Sequence, residues 1–352
     1  MSLAEILRAE IAAHGPMSFR DFMARALYDP QFGYYASGRA KIGRKGDYFT
    51  SVSVGPLFGA LLARQFAEIW EKLGRPVDFT LVEQGAHDGA LAADVLAALP
   101  VECPARLIII EPTPHWRALQ QAKLAGRDVR WVESVEALEP FVGIHYSNEL
   151  LDAFPVHLVR QMDGMWFERA VAVEGGQFVW SEVPLSNERL REHVDGSSPT
   201  REINLAALDW MKVLASKLTR GVVLAIDYGY TRVEPPRDGT LEAIASHRRV
   251  DPLAAPGEAD LTAHVDFTSL ATASDLDVLG FTDQHHFLIG LARLYFVEGE
   301  RPDPRDMRAF QTLSHPTMLG RSFKALALAR GLAGPLAGFA FAGDARRTLG
   351  VD

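Results

Sequence analysis

The chain has 352 residues, of which 48% are hydrophobic and 23% charged, with a formal net charge of −9. These values exclude a disordered chain and leave room for one enlarged α/β domain or two joined parts. The negative balance argues against nucleic acid as a partner, whose binding rests on phosphate neutralisation, and suits a cationic or protein partner.

The first segment, Leu3-Ala-Glu-Ile-Leu-Arg-Ala-Glu-Ile11, is helical in period and contains acids, unlike a signal or transit peptide. Cys103 is the only cysteine, which leaves no internal disulfide or cysteine metal cluster and fits a reducing compartment. The expected location is cytoplasmic, and no apolar run is long enough to span a membrane. Gly15-Pro16 breaks the first helix, and Ser18 is placed to cap a second that runs to about Leu27. A longer helix is expected over 56–73, with Leu57, Leu61, Leu62, Phe66 and Ile69 on its apolar side.

Short apolar runs at 79–83, 107–110, 129–132 and 143–147 then alternate with helical stretches, the rhythm of a parallel sheet. After Pro155 the rhythm changes. Runs at 156–160, 165–173 and 177–180 are separated by Asp163-Gly164 and Gly175-Gly176, which reads as an antiparallel meander. A polar loop at 186–200, a helix over 203–218 and a buried strand at 221–229 follow. The final third mixes strands and helices, including 268–279 and 322–330. The implied organisation is an N-terminal helical cap (1–76), a first part of the core (77–155), an inserted β-meander and helix (156–219), and a second part of the core with C-terminal extensions (220–352).

Most of the chemical information lies in Phe79-Thr-Leu-Val-Glu-Gln-Gly-Ala-His-Asp-Gly89 and the strand after it, Arg106-Leu-Ile-Ile-Ile-Glu111. A strand, a glycine turn and a helix, then a second strand ending in an acid, form the front half of a nucleotide-type α/β domain. Gly85 and Gly89 let backbone approach a ligand, and Glu111 is placed to accept hydrogen bonds from two ribose hydroxyls. A dinucleotide fingerprint needs a glycine where His87 stands, and Asp88 would repel a pyrophosphate. S-adenosylmethionine carries a sulfonium and no phosphate, so the acidic loop favours it over NAD.

Ser147-Asn-Glu-Leu-Leu-Asp-Ala-Phe-Pro155 ends the strand at 143–147, where open α/β sheets bind ligands. If 149–152 form a helical turn, Glu149 and Asp152 share a face and could hold a guanidinium, with Asn148 facing the cofactor. The plainer alternative is an Asn148 cap with solvated acids. Asp227 ends the next strand and could add a third carboxylate. Tyr34 and Asp47, in an aromatic segment and a polar loop, and His264 with Asp266, two apart, are further acceptor-side candidates. Aromatic packing, a turn and a structural histidine are their plainer readings. No His/Asp/Glu spacing argues for a metal.

Gly15-Pro16-Met17, Asp29-Pro-Gln-Phe-Gly-Tyr-Tyr35, Gly46-Asp-Tyr-Phe-Thr50, Phe58-Gly59, Leu81-Val-Glu83, Asn148-Glu-Leu-Leu-Asp-Ala-Phe-Pro155, Ile226-Asp-Tyr-Gly229, Gly239-Thr-Leu241 and Asp260-Leu-Thr-Ala-His-Val-Asp-Phe267 occur in one order along nearly the whole chain. Together they resemble the MidA family of S-adenosylmethionine-dependent methyltransferases, related to the mitochondrial complex I assembly arginine methyltransferase. The resemblance implies a Rossmann-like class I methyltransferase core with an N-terminal helical region and an inserted antiparallel β/helical substrate-covering region. It implies transfer from S-adenosylmethionine to a protein nitrogen, arginine foremost, and a link to respiratory complex I assembly. Cofactor contacts are implied at Glu83, Gly85, His87, Gly89, Glu111 and Asn148, catalysis at Asn148, Glu149 and Asp152, and substrate contacts at Tyr34, Asp47, Asp227, His264 and Asp266. No metal is implied, and a homodimer is compatible with it. Two positions depart from the family: His87 replaces the middle glycine of the loop, and Ser53 stands where a Glu is common. These departures keep open a methyltransferase-like assembly protein with weak or no activity. A nicotinamide-dependent oxidoreductase is the remaining alternative. His87 is expected to turn its ring aside from the ligand.

Overall fold

In the computed structural model, the described residues are 1–38, 50–194, 198–245, 247–296 and 302–351. The chain divides into two compact units. One comprises Met1–Tyr48, Leu151–Asp209 and Glu234–Val265, and the other Phe49–Leu150, Trp210–Val233 and Asp266–Asp352.

The second unit is built on a twisted sheet. Its strands are β1 (Thr80–Gln84), β2 (Arg106–Ile110), β3 (Val129–Val132), β4 (Phe141–Asn148), β5 (Leu218–Tyr230), β6 (Asp277–Asp283) and β7 (Phe323–Arg330). They lie side by side in the order β6-β7-β5-β4-β1-β2-β3. β1 to β5 pair in parallel, and β7 runs antiparallel between β5 and β6. The order reverses between β1 and β4, and a ligand crevice opens at such a switch point, outside the carboxyl ends of the strands. The sequence places β1 to β4 to within about two residues, β5 is longer than its apolar run, and β6 falls partly beyond 268–279, a stretch read only as mixed strand and helix. The segment at 322–330 is strand throughout most of its length, as β7.

Helix α1 (Leu57–Lys72) lies over β1, β2 and β4, burying Phe58, Phe66 and Ile69 in one core with Leu81, Ile109 and Tyr146. The ring of Phe66 sits 5.0 Å from that of Tyr146. Burying a side chain of this size contributes about 1.5–3 kcal/mol. Helix α2 (Ala90–Ala98) follows the glycine loop, and α3 (Pro114–Lys123) follows β2. Gly59 on α1 lets α2 approach closely, because a Cβ there would meet the Asp94 Cβ at 2.5 Å and the Val95 backbone nitrogen at 3.1 Å.

The first unit carries the antiparallel sheet. Strands His157–Met162, Met165–Glu174 and Gln177–Pro184 form the expected meander, and Met17–Ser18 and Thr200–Ile203 pair at its sides. Both two-residue turns have left-handed backbone at each position, with φ of 49° at Asp163, 77° at Gly164, 55° at Gly175 and 80° at Gly176. Turns of this hand match the twist of the flanking strands. Ser18 caps the helix Phe19–Tyr28 through its side chain, as its position suggests. The polar stretch at 186–200 contains a short 3-10 helix, Glu188–His193. Helix α4 (Leu205–Lys217) carries the chain into the second unit.

Candidate functional site

The glycine loop joins β1 to α2 in the sharp turn its residues allow. Gly85, His87 and Gly89 all have left-handed backbone, with φ of 80°, 46° and 82°. Glycine bears this at no steric cost, whereas a non-glycine residue carries a penalty of about 1 kcal/mol or more. Asp88 accepts from the Ala90 backbone nitrogen at 3.0 Å and pairs with Lys123 Nζ at 2.5 Å. Its charge is therefore neutralised by α3. The His87 ring packs on Trp116, with centroids 4.3 Å apart. Its Nε2 is buried with no partner among the described residues. Burial holds the imidazole below its ordinary pKa, against the opposing pull of Asp88.

Glu111 stands at the end of β2 with only 7% of its surface exposed. Its Oε1 accepts from the Thr113 backbone nitrogen at 2.8 Å and its Oε2 from Gln120 Nε2 at 3.1 Å. Desolvation pushes its pKa up, and these donors oppose the shift. Glu83 is more deeply enclosed, at 2% exposure, and its Oε2 accepts from the Tyr146 hydroxyl at 2.8 Å. Burial raises its pKa to about 8. Glu83 thus ties β1 to β4 from within the sheet.

At the end of β4, Asn148 Nδ2 donates to Glu149 Oε1 at 2.8 Å, while the buried Asn148 Oδ1 has no partner among the described residues. Glu149 has a left-handed backbone, φ 54°, and its nitrogen donates to the Ile226 carbonyl at 3.0 Å. The strand therefore turns away at Glu149, and no helix forms over 149–152. The expectation that Glu149 and Asp152 share a helical face is corrected accordingly, because a left-handed residue cannot start a right-handed turn. The two residues also fall in different compact units. Asp227 does not stand as a free third carboxylate. Its Oδ2 accepts from the Leu150 nitrogen at 3.0 Å and its Oδ1 from the Tyr228 nitrogen at 2.8 Å, so it fixes the same turn.

Of the remaining candidates, Asp266 belongs to the second unit. Asp266 caps helix α5 (Phe267–Thr272), accepting from the Ser269 nitrogen at 3.1 Å and its hydroxyl at 2.6 Å. In the first unit, Asp152 is buried, and its carbonyl accepts from the Ala263 nitrogen at 2.9 Å. His264 is exposed there, its nitrogen donating to Thr240 Oγ1 at 2.9 Å, and Tyr34 packs edge-on against Tyr35 at 5.2 Å. Asp47 lies outside the described residues.

The core sheet, the glycine loop and the acid ending β2 agree with a family model of S-adenosyl-L-methionine-dependent methyltransferases, Methyltransf_28, which matches residues 61–282. The chain belongs to this methyltransferase family. A protein from Burkholderia thailandensis solved with S-adenosyl-homocysteine bound is 31% identical to this methyltransferase. The two superpose with a TM-score of 0.86 over 99% of this chain and 96% of that one. The Drosophila melanogaster protein arginine methyltransferase NDUFAF7 homolog, mitochondrial, is 29% identical over 94% of this chain and 85% of its own length. The human protein arginine methyltransferase NDUFAF7, mitochondrial, is 25% identical over 92% and 82%.

The cofactor of this methyltransferase is S-adenosylmethionine, and the residues present fit it. Glu111 is an acceptor-only group at the strand end, Asn148 Oδ1 is an acceptor with no partner among the described residues, and the loop needs no charge repelled from a phosphate. Sequence reasoning missed Trp116, Gln120 and Lys123. Their signal was the spacing 116, 120, 123 on one face of the helix after Glu111.

Proposed function

We propose that this methyltransferase transfers a methyl group to a guanidinium nitrogen of a protein arginine. One observation carries the reading: Glu149, at the end of β4, is held in left-handed backbone with its carboxylate fixed by Asn148 Nδ2 at 2.8 Å. Backbone strain of this kind costs about 1–3 kcal/mol and collects at functional sites. The names of the Drosophila and human relatives, which are protein arginine methyltransferases, support the choice of acceptor.

When bound, S-adenosylmethionine supplies a methyl group already activated on a sulfonium. Glu111 would hold the ribose hydroxyls, the loop from Gly85 to Gly89 would present backbone, and Asn148 Oδ1 would accept from the ligand. Glu149 pairs with the guanidinium fork and orients one nitrogen for in-line attack. The guanidinium nitrogen would take the methyl as the methyl–sulfur bond breaks and S-adenosylhomocysteine leaves, and because arginine is not deprotonated beforehand one N–H proton would pass to water. The carboxylate contributes orientation and charge matching.

The test is methyl labelling of lysate proteins from tritiated S-adenosylmethionine, followed by hydrolysis and amino-acid analysis. Wild type should yield methylarginine, and arginine-bearing subunits of respiratory complex I are the first purified proteins to try. Glu149→Gln keeps shape and removes charge. It should lower transfer by about 10²–10³ while leaving S-adenosylhomocysteine affinity within a few-fold. Equal labelling by both proteins, or label on another amino acid, would sink the proposal. A wild type that binds no S-adenosylhomocysteine would favour the assembly-protein alternative.

A further inference from the structure

Gln120 is completely buried, at 0% exposure, and both its amide hydrogens and its oxygen are engaged in hydrogen bonds. Its Nε2 donates to the His87 carbonyl at 2.8 Å and to Glu111 Oε2 at 3.1 Å, while its Oε1 accepts from Trp131 Nε1 at 3.0 Å. The orientation of the amide is not arbitrary. An indole N–H can only donate, so it must meet the oxygen. A carbonyl and a carboxylate oxygen accept, so they must meet the nitrogen, whose two hydrogens serve one each.

We infer that Gln120 is a positioning residue of the cofactor site, joining Glu111 and the glycine loop into one rigid receptor. The inference rests on the assignment of Glu111 and the loop to the cofactor. The two elements leave different strands, β1 and β2, and are bound to opposite parts of one ligand. Glu111 serves the nucleoside and the loop serves the amino-acid end. A ligand that spans both gains full affinity only if their separation is set in advance. Gln120 sets it through two bonds from one nitrogen.

Its neighbours on α3 hold the same loop. Trp116, Gln120 and Lys123 follow one another along one helix face and meet the His87 ring, the His87 carbonyl and the Asp88 carboxylate. One of these positions, His87, is where the loop departs from the glycine pattern. A loop with His87 at φ 46° needs such outside support, since the residue itself resists the conformation. Helix α3 therefore supplies by side-chain contacts the order that this loop lacks in its own backbone preferences.

The experiment uses the full chain and two probes: S-adenosylhomocysteine, which spans both elements, and methylthioadenosine, which lacks the amino-acid end. Titration calorimetry gives both affinities, with circular dichroism and thermal melting to establish folding. Gln120→Leu should weaken S-adenosylhomocysteine by about 10- to 100-fold and methylthioadenosine by at least about fivefold less. Gln120→Glu keeps size and the acceptor for Trp131, but faces two acceptors with a carboxylate. Its S-adenosylhomocysteine affinity should recover by about fivefold or more, relative to wild type, as pH falls from 8 to 6 and the new carboxyl gains a proton to donate. A merely structural role would lower the melting temperature without producing that pH profile. Trp131→Phe removes only the orienting bond and should weaken binding by a few-fold. A folded Gln120→Leu protein with wild-type affinity, or an unchanged ratio between the two probes, would overturn the inference. If Gln120→Leu does not fold, Gln120→Glu and Trp131→Phe decide, and a flat pH profile with wild-type affinity in both overturns it. Failure of wild type to bind either probe would instead remove the cofactor assignment beneath it.

Discussion

A carboxylate enclosed under a ligand site must be kept ready to accept, and Glu111 is kept so by neutral donors. Thr113 N and Gln120 Nε2 each offer one hydrogen, and burial alone would favour its protonated form. Glu111→Ala should weaken S-adenosylhomocysteine binding by one or two charge-assisted hydrogen bonds, about 1.5–3 kcal/mol each, measured by calorimetry on folded protein. His87 poses the opposite balance. Its left-handed backbone costs about 1 kcal/mol or more, and its ring contact with Trp116 returns about 0.5–1.5 kcal/mol. His87→Gly exchanges one for the other and should change unfolding free energy by less than about 1 kcal/mol. His87→Val keeps the strain, loses the ring and adds a branch at Cβ, so it should destabilise by about 1–3 kcal/mol. Urea unfolding of the two variants checks the order, and equal effects would contradict it.

At the scale of elements, α1 and α2 meet through Gly59. On an exposed helix surface, glycine to alanine stabilises by about 0.8–1 kcal/mol. Here the added methyl would meet Asp94 Cβ at 2.5 Å and α2 backbone at 3.1 Å, and backbone does not yield cheaply. Overpacking of this kind costs about 1–3 kcal/mol, so the clash outweighs the propensity gain. Gly59→Ala should therefore lower stability. It should also weaken S-adenosylhomocysteine binding, because α2 begins at the glycine loop. A variant more stable than wild type would show that α2 simply moves aside. The β4–Glu149 junction follows the same logic. Asp227 on the neighbouring strand accepts from Leu150 N, and the Ile226 carbonyl accepts from Glu149 N. Two contacts from β5 thus fix a turn that its own sequence would allow to become helical.

For the molecule as a whole, two buried titratable groups shape stability against pH. His145 is fully buried beside Trp210, has no partner for either ring nitrogen among the described residues, and has its pKa lowered by burial to about 3. Between about pH 3 and its ordinary value near 6.5, the unfolded chain binds a proton that the folded one does not, so stability falls as pH falls. Glu83, with its pKa raised to about 8, behaves in the opposite sense. Between about 4.5 and 8 the folded chain keeps a proton that the unfolded one releases, so stability falls as pH rises. The two slopes cancel between about 4.5 and 6.5. Their joint contribution should be a plateau there, falling on both sides by up to about 1.4 kcal/mol per pH unit. Urea unfolding across pH should show His145→Phe flattening the acid side and Glu83→Gln flattening the alkaline side. Identical profiles for wild type and both variants would refute the assignment.

Much of this architecture is legible in the linear chain. Apolar runs at the strand period, Ser18 before a helix, and Asp163-Gly164 between alternating segments carry their meaning locally, because strand burial, caps and tight turns depend on neighbours a few residues away. Glu111 was legible too, since a strand followed by an acid needs no distant partner to be placed at the sheet's carboxyl edge. The support beneath the site was not. Gln120 meets Glu111, His87 and Trp131 only after three strands have paired, and the spacing that puts it on one face with Trp116 and Lys123 does not say what that face meets. Local pattern likewise allowed a helix at 149–152, which the left-handed Glu149 and two contacts from β5 forbid. The sequence by itself determined the sheet, the loop and the class of ligand, which follow from periodicity and residue chemistry. Only the tertiary structure decided how the loop is braced and which acids serve as caps, because those bonds join residues far apart in the chain.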